Sequence, residues 1–176
     1  LIFFAGKIIK MKTILIATDF SPASRNASLY GIELAKALEA NIILFNSFKA
    51  SASSSEQKKS ESSYDTMMQA DKRLLEEADF LDPEHEVIEI ICDEGVAYSS
   101  IMNTANEKKV DCIVVGRKGN GNTIKDLFGS TATALAKDAN IPVIIVPENA
   151  KFEKSEIKKD TGAILKNIKT KTILIK

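Results

Sequence analysis

Residues 14–22 read Ile14-Leu15-Ile16-Ala17-Thr18-Asp19-Phe20-Ser21-Pro22, and this stretch decides the fold. Four consecutive apolar residues without polar alternation describe a strand covered on both faces, the condition of a central strand in a parallel sheet. The run stops at Thr18-Asp19. Ser21-Pro22 is then a helix opening, because a serine hydroxyl caps free backbone N–H groups and proline at the first helical position forfeits no hydrogen bond. Ala27, Tyr30, Leu34 and Leu38 recur at three and four residues, which predicts one helix with one buried stripe.

The same alternation continues outward. Residues 42–45 form a second apolar run. Residues 50–63 hold seven serines and too little apolar surface to order themselves, so they read as a mobile loop. Met67, Leu74, Ala78 and Leu81 mark a second helix that ends near Asp82-Pro83. Residues 87–91 are a third strand, and Gly95 turns the chain into a helix carrying Ile101, Met102 and Ala105. Residues 111–115 are a fourth strand that stops at Gly116, residues 132–139 a short helix, and residues 141–147 a fifth strand bracketed by prolines. Five strands with four intervening helices and right-handed crossovers give an α/β fold, an open five-stranded parallel sheet with helices on both faces. A ligand of such a sheet sits beyond the carboxyl ends of the strands, where strand order reverses. That places Asp19, the end of the second strand and Gly116 near one another.

The chain has 176 residues, the size of one domain. With 44% hydrophobic and 27% charged residues it falls outside the collagen-like, wholly disordered and disulfide-scaffold classes. Cys92 and Cys112 lie in apolar runs without metal-ligand spacing and read as buried thiols of a reducing cytosol. His85 is the single histidine, which argues against Ser/His or Cys/His triads and histidine-rich metal sites. Net charge is zero, but residues 151–176 carry +5 and residues 1–10 carry +2, leaving residues 11–150 at −7. An acidic body is a poor non-specific nucleic-acid binder, so no nucleic-acid partner is expected. No apolar run approaches the ~20 residues of a membrane span, and residues 1–5 lack the charged leader of a signal peptide. A cytoplasmic protein without a membrane partner is expected. Met11 looks like a natural start, which makes residues 1–10 an extension.

The sharpest motif begins where the fourth strand ends. Gly116-Arg117-Lys118-Gly119, nine residues, then Gly129-Ser130-Thr131 follows Gly-x2-Gly-x9-Gly-[Ser/Thr], with a strand before it and a helix after. Glycines allow close backbone approach or positive φ. A helix opened by Gly129-Ser130 presents unpaired N–H groups and the positive end of its dipole, the usual way a helix start takes phosphate. Arg117, Lys118 and Lys125 lie in the same segment, and no acid occurs between Asp111 and Asp126. The net-acidic body therefore concentrates its cations here. The spacing is neither a Walker A loop nor GxGxxG. A plain strand-to-helix connection with Ser130 as N-cap is the structural alternative, and capping of the first helix is the alternative role for Asp19.

At these residues the chain resembles the ATP-binding branch of the universal stress protein family. Residues 12–21, Lys-Thr-Ile-Leu-Ile-Ala-Thr-Asp-Phe-Ser, are similar to the family's opening strand and turn, and Asn140-Ile141-Pro142-Val143 to its closing strand. The resemblance covers roughly residues 11–147 and implies a Rossmann-like sheet of the adenine nucleotide alpha hydrolase type, strand order 3-2-1-4-5. It implies a domain over residues 11–148 and a Lys-rich tail over 149–176. It also implies an adenine nucleotide, ATP with Mg²⁺ or else ADP or AMP, as ligand. Asp19 matches the acidic residue beside the nucleotide, and Ala17 lines the same pocket where many relatives have proline. Ser47 matches the strand end whose backbone meets adenine. Val115, Gly116, Lys118 and Gly119 match the ribose and phosphate loop, and Gly129, Ser130 and Thr131 the phosphate-gripping helix start. No catalytic residue is implied, and no dedicated metal cage is placed.

Residues 171–175, Lys-Thr-Ile-Leu-Ile, repeat residues 12–16 letter for letter. The tail reads either as the first strand of a truncated second copy, since some family members are tandem, or as coincidence in Lys/Ile-rich sequence. Residues 152–169 before it are helix-capable. Residues 143–146 should be a sheet edge, and family members pair this strand antiparallel to dimerise, so a homodimer through the last strand is expected. The leading expectation is a nucleotide-dependent regulatory or stress-response dimer with little or no hydrolysis. The alternatives are a nucleotide-independent dimeric interaction module and an adenylyl-transferring enzyme; the latter's nucleotide loop belongs after the first strand, where no glycine stands.

Overall fold

The computed structural model describes residues 2–4, 7–9, 11–49, 56–82, 88–118, 128–152 and 172–174. A short antiparallel pair, β1 (Ile2–Phe4) and β2 (Lys7–Ile9), stands apart from the main sheet. The main alternation follows in chain order as β3 (Thr13–Ala17), α1 (Pro22–Leu38), β4 (Asn41–Phe48), α2 (Glu56–Leu81) and β5 (Ile88–Glu94). It continues with α3 (Ala97–Glu107), β6 (Cys112–Gly116), α4 (Ser130–Asp138), β7 (Val143–Val146) and β8 (Thr172–Leu174).

β3 is the central strand expected of its apolar run: Ile14, Leu15 and Ile16 are fully buried. It pairs parallel with β4 on one side and β6 on the other, and its start is tied to β6 because Asp111 Oδ2 accepts the backbone N–H groups of Lys12 and Thr13 at 2.7 and 3.0 Å. The strands run β5-β4-β3-β6-β7, all parallel, which is the 3-2-1-4-5 order. Alternate strand residues feed two cores. Ile14, Ile16, Leu44, Val114 and Ile144 pack with Ala27, Ile32 and Ala35 of α1 and Leu74 and Leu81 of α2. Leu15, Ile43, Ile113, Val143 and Ile145 pack with Ile101, Met102 and Ala105 of α3 and Ala132 and Leu135 of α4. Helices before and after β5 therefore cover opposite faces, and the crossover reverses between β3 and β6.

Three expectations are corrected. The serine-rich stretch is helical over 56–63, because α2 begins at Glu56; Glu56-Gln57-Lys58-Lys59 are good helix formers, and a helix nucleated by a buried stripe propagates through them. That stripe is Ala70, Leu74, Glu77 and Leu81, with Met67 off it at 43% exposure. Glu77 is missed by an apolar pattern, since its buried carboxylate Oε2 accepts Arg25 Nε and Nη2 of α1 at 3.0 and 2.7 Å. The neighbouring buried Asp82 accepts Lys36 Nζ at 3.3 Å. Finally, β7 is not the edge of the sheet: β8 lies parallel along its outer side. The tail strand thus covers the edge of its own chain's sheet. His85, Lys125 and residues 153–169 lie outside the described residues.

Candidate functional site

β3, β4 and β6 end side by side, with Ala17 opposite Phe45 on one flank and Val115 on the other. Beyond these ends the chain leaves the sheet toward opposite faces, and a cavity of about 850 Å³ opens between the departing segments. Its floor is apolar. Phe45, Ile101 and Val115 are buried there, with Ala17, Ala97 and Phe128 alongside.

The turn from β3 into α1 forms one wall. Thr18 N donates to Phe45 O at 2.8 Å, and Asn46 Nδ2 donates to Thr18 O at 2.7 Å. Ser21 is the N-cap of α1, its Oγ accepting Ser24 N at 3.1 Å. Asp19 Oδ1 accepts Ser21 N at 3.1 Å, so this carboxylate shapes the turn while the serine caps the helix. Phe20 N donates to Thr18 Oγ1 at 3.0 Å, which helps hold Phe20 at φ 62, a conformation uncommon for a bulky side chain. The Arg73 guanidinium lies 4.1 Å over the Phe20 ring. Ser24 Oγ, 3.1 Å from Thr18 Oγ1, completes a row of hydroxyls along this wall.

The opposite wall is the glycine segment and the start of α4. Arg117 N donates to Val146 O at 2.8 Å, which ties the start of that segment to β7, and Gly129 N donates to Arg117 O at 2.7 Å, which closes its end onto its start. Gly129 is the N-cap of α4 and supplies no side-chain cap. Thr133 N takes Gly129 O, so the N–H groups of Ser130, Thr131 and Ala132 have no partner within the helix. With no acid in the first turn, this end of the dipole favours an anion. Ser130 is the first helical residue rather than the N-cap.

Gly116 lines the cavity, but its missing side chain serves another contact. A Cβ there would come within 3.0 Å of Ala23 O and 3.2 Å of Ser24 Cα. The glycine lets the first turn of α1 cross β6, where ligand approach was the expected reason.

Ala17, Asp19, Ser47, Val115, Gly116, Lys118, Gly129, Ser130 and Thr131 all line this one cavity; Gly119 lies outside the described residues. Sequence reading missed Thr18, Ser24, Phe45, Ala97, Ile101 and Phe128, and along α4 also Ala132, Thr133, Ala134, Lys137 and Asp138. Phe45 and Ile101 were legible as core, but periodicity does not tell which core side chains border an opening. Neither cysteine belongs to the site. Burial first and nearby Asp71 second push the Cys92 thiol up to about 11, and burial with Asp111 pushes Cys112 to about 12, so neither is a thiolate at neutral pH. Among the described residues no cluster of three metal-ligating side chains occurs, and no helix is long and apolar enough to cross a membrane.

A family model described as the Universal stress protein family matches residues 10–147. The universal stress protein MJ0531 of Methanocaldococcus jannaschii is 38% identical over 58 residues, 33% of this chain; the match spans about a third, 34%, of that relative. Among solved structures, universal stress protein UspA from Lactobacillus plantarum has a TM-score of 0.69 at 20% identity, covering 79% of this chain and 99% of that one. A universal stress protein solved in complex with cAMP has a TM-score of 0.59 at 21% identity, covering 78% and 98%. At such identities the structural likeness speaks for the fold.

Proposed function

Because the chain belongs to the universal stress protein family, we propose that its cavity binds an adenine nucleotide, with ATP as the physiological ligand, and that binding regulates a cytoplasmic stress-response homodimer. The observation that carries this reading is one cavity with an apolar floor at one end and an open helix start at the other. A purine ring is flat and apolar on its faces, and Phe45, Val115 and Ile101 offer it matching surface. Ser47 and Asp19 flank the ribose position. The N–H groups opened by Gly129, Ser130 and Thr131 and the ammonium of Lys118 take the phosphates. The relative solved with cAMP is a family member holding an adenine nucleotide, which supports the ligand class.

Mg²⁺ fits as a companion of the phosphates rather than as a resident ion. It is commonly bound through one or two carboxylates together with phosphate oxygens, and Asp19 lines the cavity at the β3 end while Asp138 lines it at the far end of α4. When bound, the ion would neutralise phosphate charge; Asp19 would hold it from the rim while Lys118 and the α4 start orient the nucleotide. Hydrolysis is slow in this reading, because the walls offer cations, hydroxyls and backbone N–H groups, and Asp19 is assigned to the ion rather than to orienting a water. Residues 11–148 constitute the binding domain, with residues 149–176 as its tail.

Isothermal titration calorimetry with ATP and Mg²⁺ tests the reading. Saturable heat in the micromolar range is expected, and no heat at high micromolar nucleotide overturns it. Mass spectrometry of ligand retained through mild purification identifies whether ATP, ADP or cAMP is carried.

A further inference from the structure

Three non-glycine residues among those described have positive φ: Phe20, Glu39 and Lys109. Glu39 is the C-cap of α1 and Lys109 directly follows the C-cap of α3, positions where helices ordinarily turn left-handed. Phe20 is different. It stands before a helix, with φ 62, between Asp19 of the cavity wall and the Ser21 cap. A bulky side chain keeps this conformation only where its surroundings over-determine it, and such residues cluster at functional sites. Two of the restraints are local: Phe20 N donates to Thr18 Oγ1 at 3.0 Å and Ser21 N to Asp19 Oδ1 at 3.1 Å. Another comes from α2. Arg73, an exposed residue, sets its guanidinium 4.1 Å from the centroid of the half-buried Phe20 ring. Arg73, Glu77 and Phe80 recur at four and three residues along one side of α2. Glu77 and Phe80 both meet Arg25, the first through hydrogen bonds and the second with its ring 5.2 Å from the guanidinium. α2 therefore grips the chain on both sides of the Ser21 cap, although Arg73 itself does not line the cavity.

We propose that Arg73 is a positioning residue for the nucleotide site: stacked on Phe20, it holds the β3–α1 turn in its left-handed form and so fixes how Asp19 faces the cavity. The turn has two forms to choose between. With φ 62 at Phe20, the Ser21 amide returns to the Asp19 carboxylate in an Asx-type turn that pins the side chain. With the ordinary negative φ, the following peptide swings away and that hydrogen bond is lost. Intrinsic preference of a bulky residue favours the second form, and the cation–π contact, made only by a ring held against α2, favours the first. Asp19 is then preorganised for ribose and ion before the nucleotide arrives. The inference rests on the nucleotide reading and deepens it, since it gives a part in binding to a residue of α2 outside the cavity.

A double-mutant cycle tests it, with Arg73→Ala, Phe20→Gly and the two together. Glycine adopts positive φ without strain and offers no ring, and alanine at an exposed helical position keeps α2 intact. Calorimetry with ATP and Mg²⁺ should show a roughly tenfold loss of affinity for Arg73→Ala in the native background, the size of one cation–π contact. In the Phe20→Gly background the loss should be less than about twofold. Hydrogen exchange on the nucleotide-free proteins gives a second readout. The Ser21 amide should exchange markedly faster in Arg73→Ala while the amides of β3 stay unchanged, and the acceleration should vanish once Phe20 is glycine. An equal loss of affinity in both backgrounds overturns the proposal, because Arg73 then acts through its charge and not through the ring. Full affinity in Arg73→Ala overturns it as well. A native chain that gives no heat sinks the nucleotide reading instead, and the exchange comparison still decides whether Arg73 holds the turn.

Discussion

Gly116 faces two demands, since it borders the cavity and also lies under the first turn of α1, where a Cβ would meet Ala23 O at 3.0 Å. Backbone cannot move aside as a flexible side chain can. Gly116→Ala should therefore destabilise the fold by about 1–3 kcal/mol, the usual cost of overpacking, seen as a lower urea midpoint. Cysteine chemistry gives a second prediction at this scale. Cys92 and Cys112 are held neutral to about 11 and about 12 in the folded chain against an ordinary value of 9.0. Between those values the unfolded chain has lost thiol protons that the folded chain keeps, so stability is unaffected by the thiols below pH 9 and falls as pH rises above it. Thermal scans from pH 8 to 11 should show this fall, and a Cys92→Ala/Cys112→Ala double variant should flatten it. Of the residue-scale facts, the candidate positions themselves were legible, because glycine spacing and the end of an apolar run are local signals. The reason for Gly116 was not, since it depends on Ala23, far away in sequence.

At the scale of elements, the start of α4 separates binding from stability. Ser130→Asp places a negative charge at the first helical position, where the dipole favours it by about 0.3–1 kcal/mol. The same charge opposes a bound phosphate. The expected outcome is an unchanged or slightly higher melting temperature together with a more than tenfold loss of ATP affinity by calorimetry, a pairing that general misfolding does not produce. α2 makes the opposite point. Its buried stripe includes Glu77, whose partner Arg25 sits on α1 with its side chain about half exposed. Arg25→Ala leaves a buried carboxylate unpaired and should cost about 2 kcal/mol, discounted from a fully buried pair because the arginine is screened by water; chemical denaturation measures it. A hydropathy pattern scores Glu77 as solvent-facing, and it scores a serine-rich run as unstructured, so the length and the inner face of α2 were both misread from sequence.

For the whole molecule, a ligand that binds only the folded chain raises its stability by mass action. ATP at a hundredfold excess over its dissociation constant supplies about 2.7 kcal/mol, which for a chain of this size corresponds to a rise of about 5–10 °C in melting temperature. Differential scanning fluorimetry across an ATP series checks this, and Ser130→Asp should blunt the rise. Sequence by itself determined the order of strands and helices from β3 to β7, the central place of Ile14–Ala17 and the end of the sheet where a cavity would open, because each follows from apolar runs, capping residues and the handedness of crossovers; the β1–β2 pair was not foreseen. Tertiary structure alone decided that Phe45 and Ile101 floor the cavity, that Glu77 is interior and that Thr172–Leu174 lie along β7. Those outcomes depend on which surfaces meet across long stretches of chain, and a residue's partners are set by burial and register that its own neighbours in sequence do not encode.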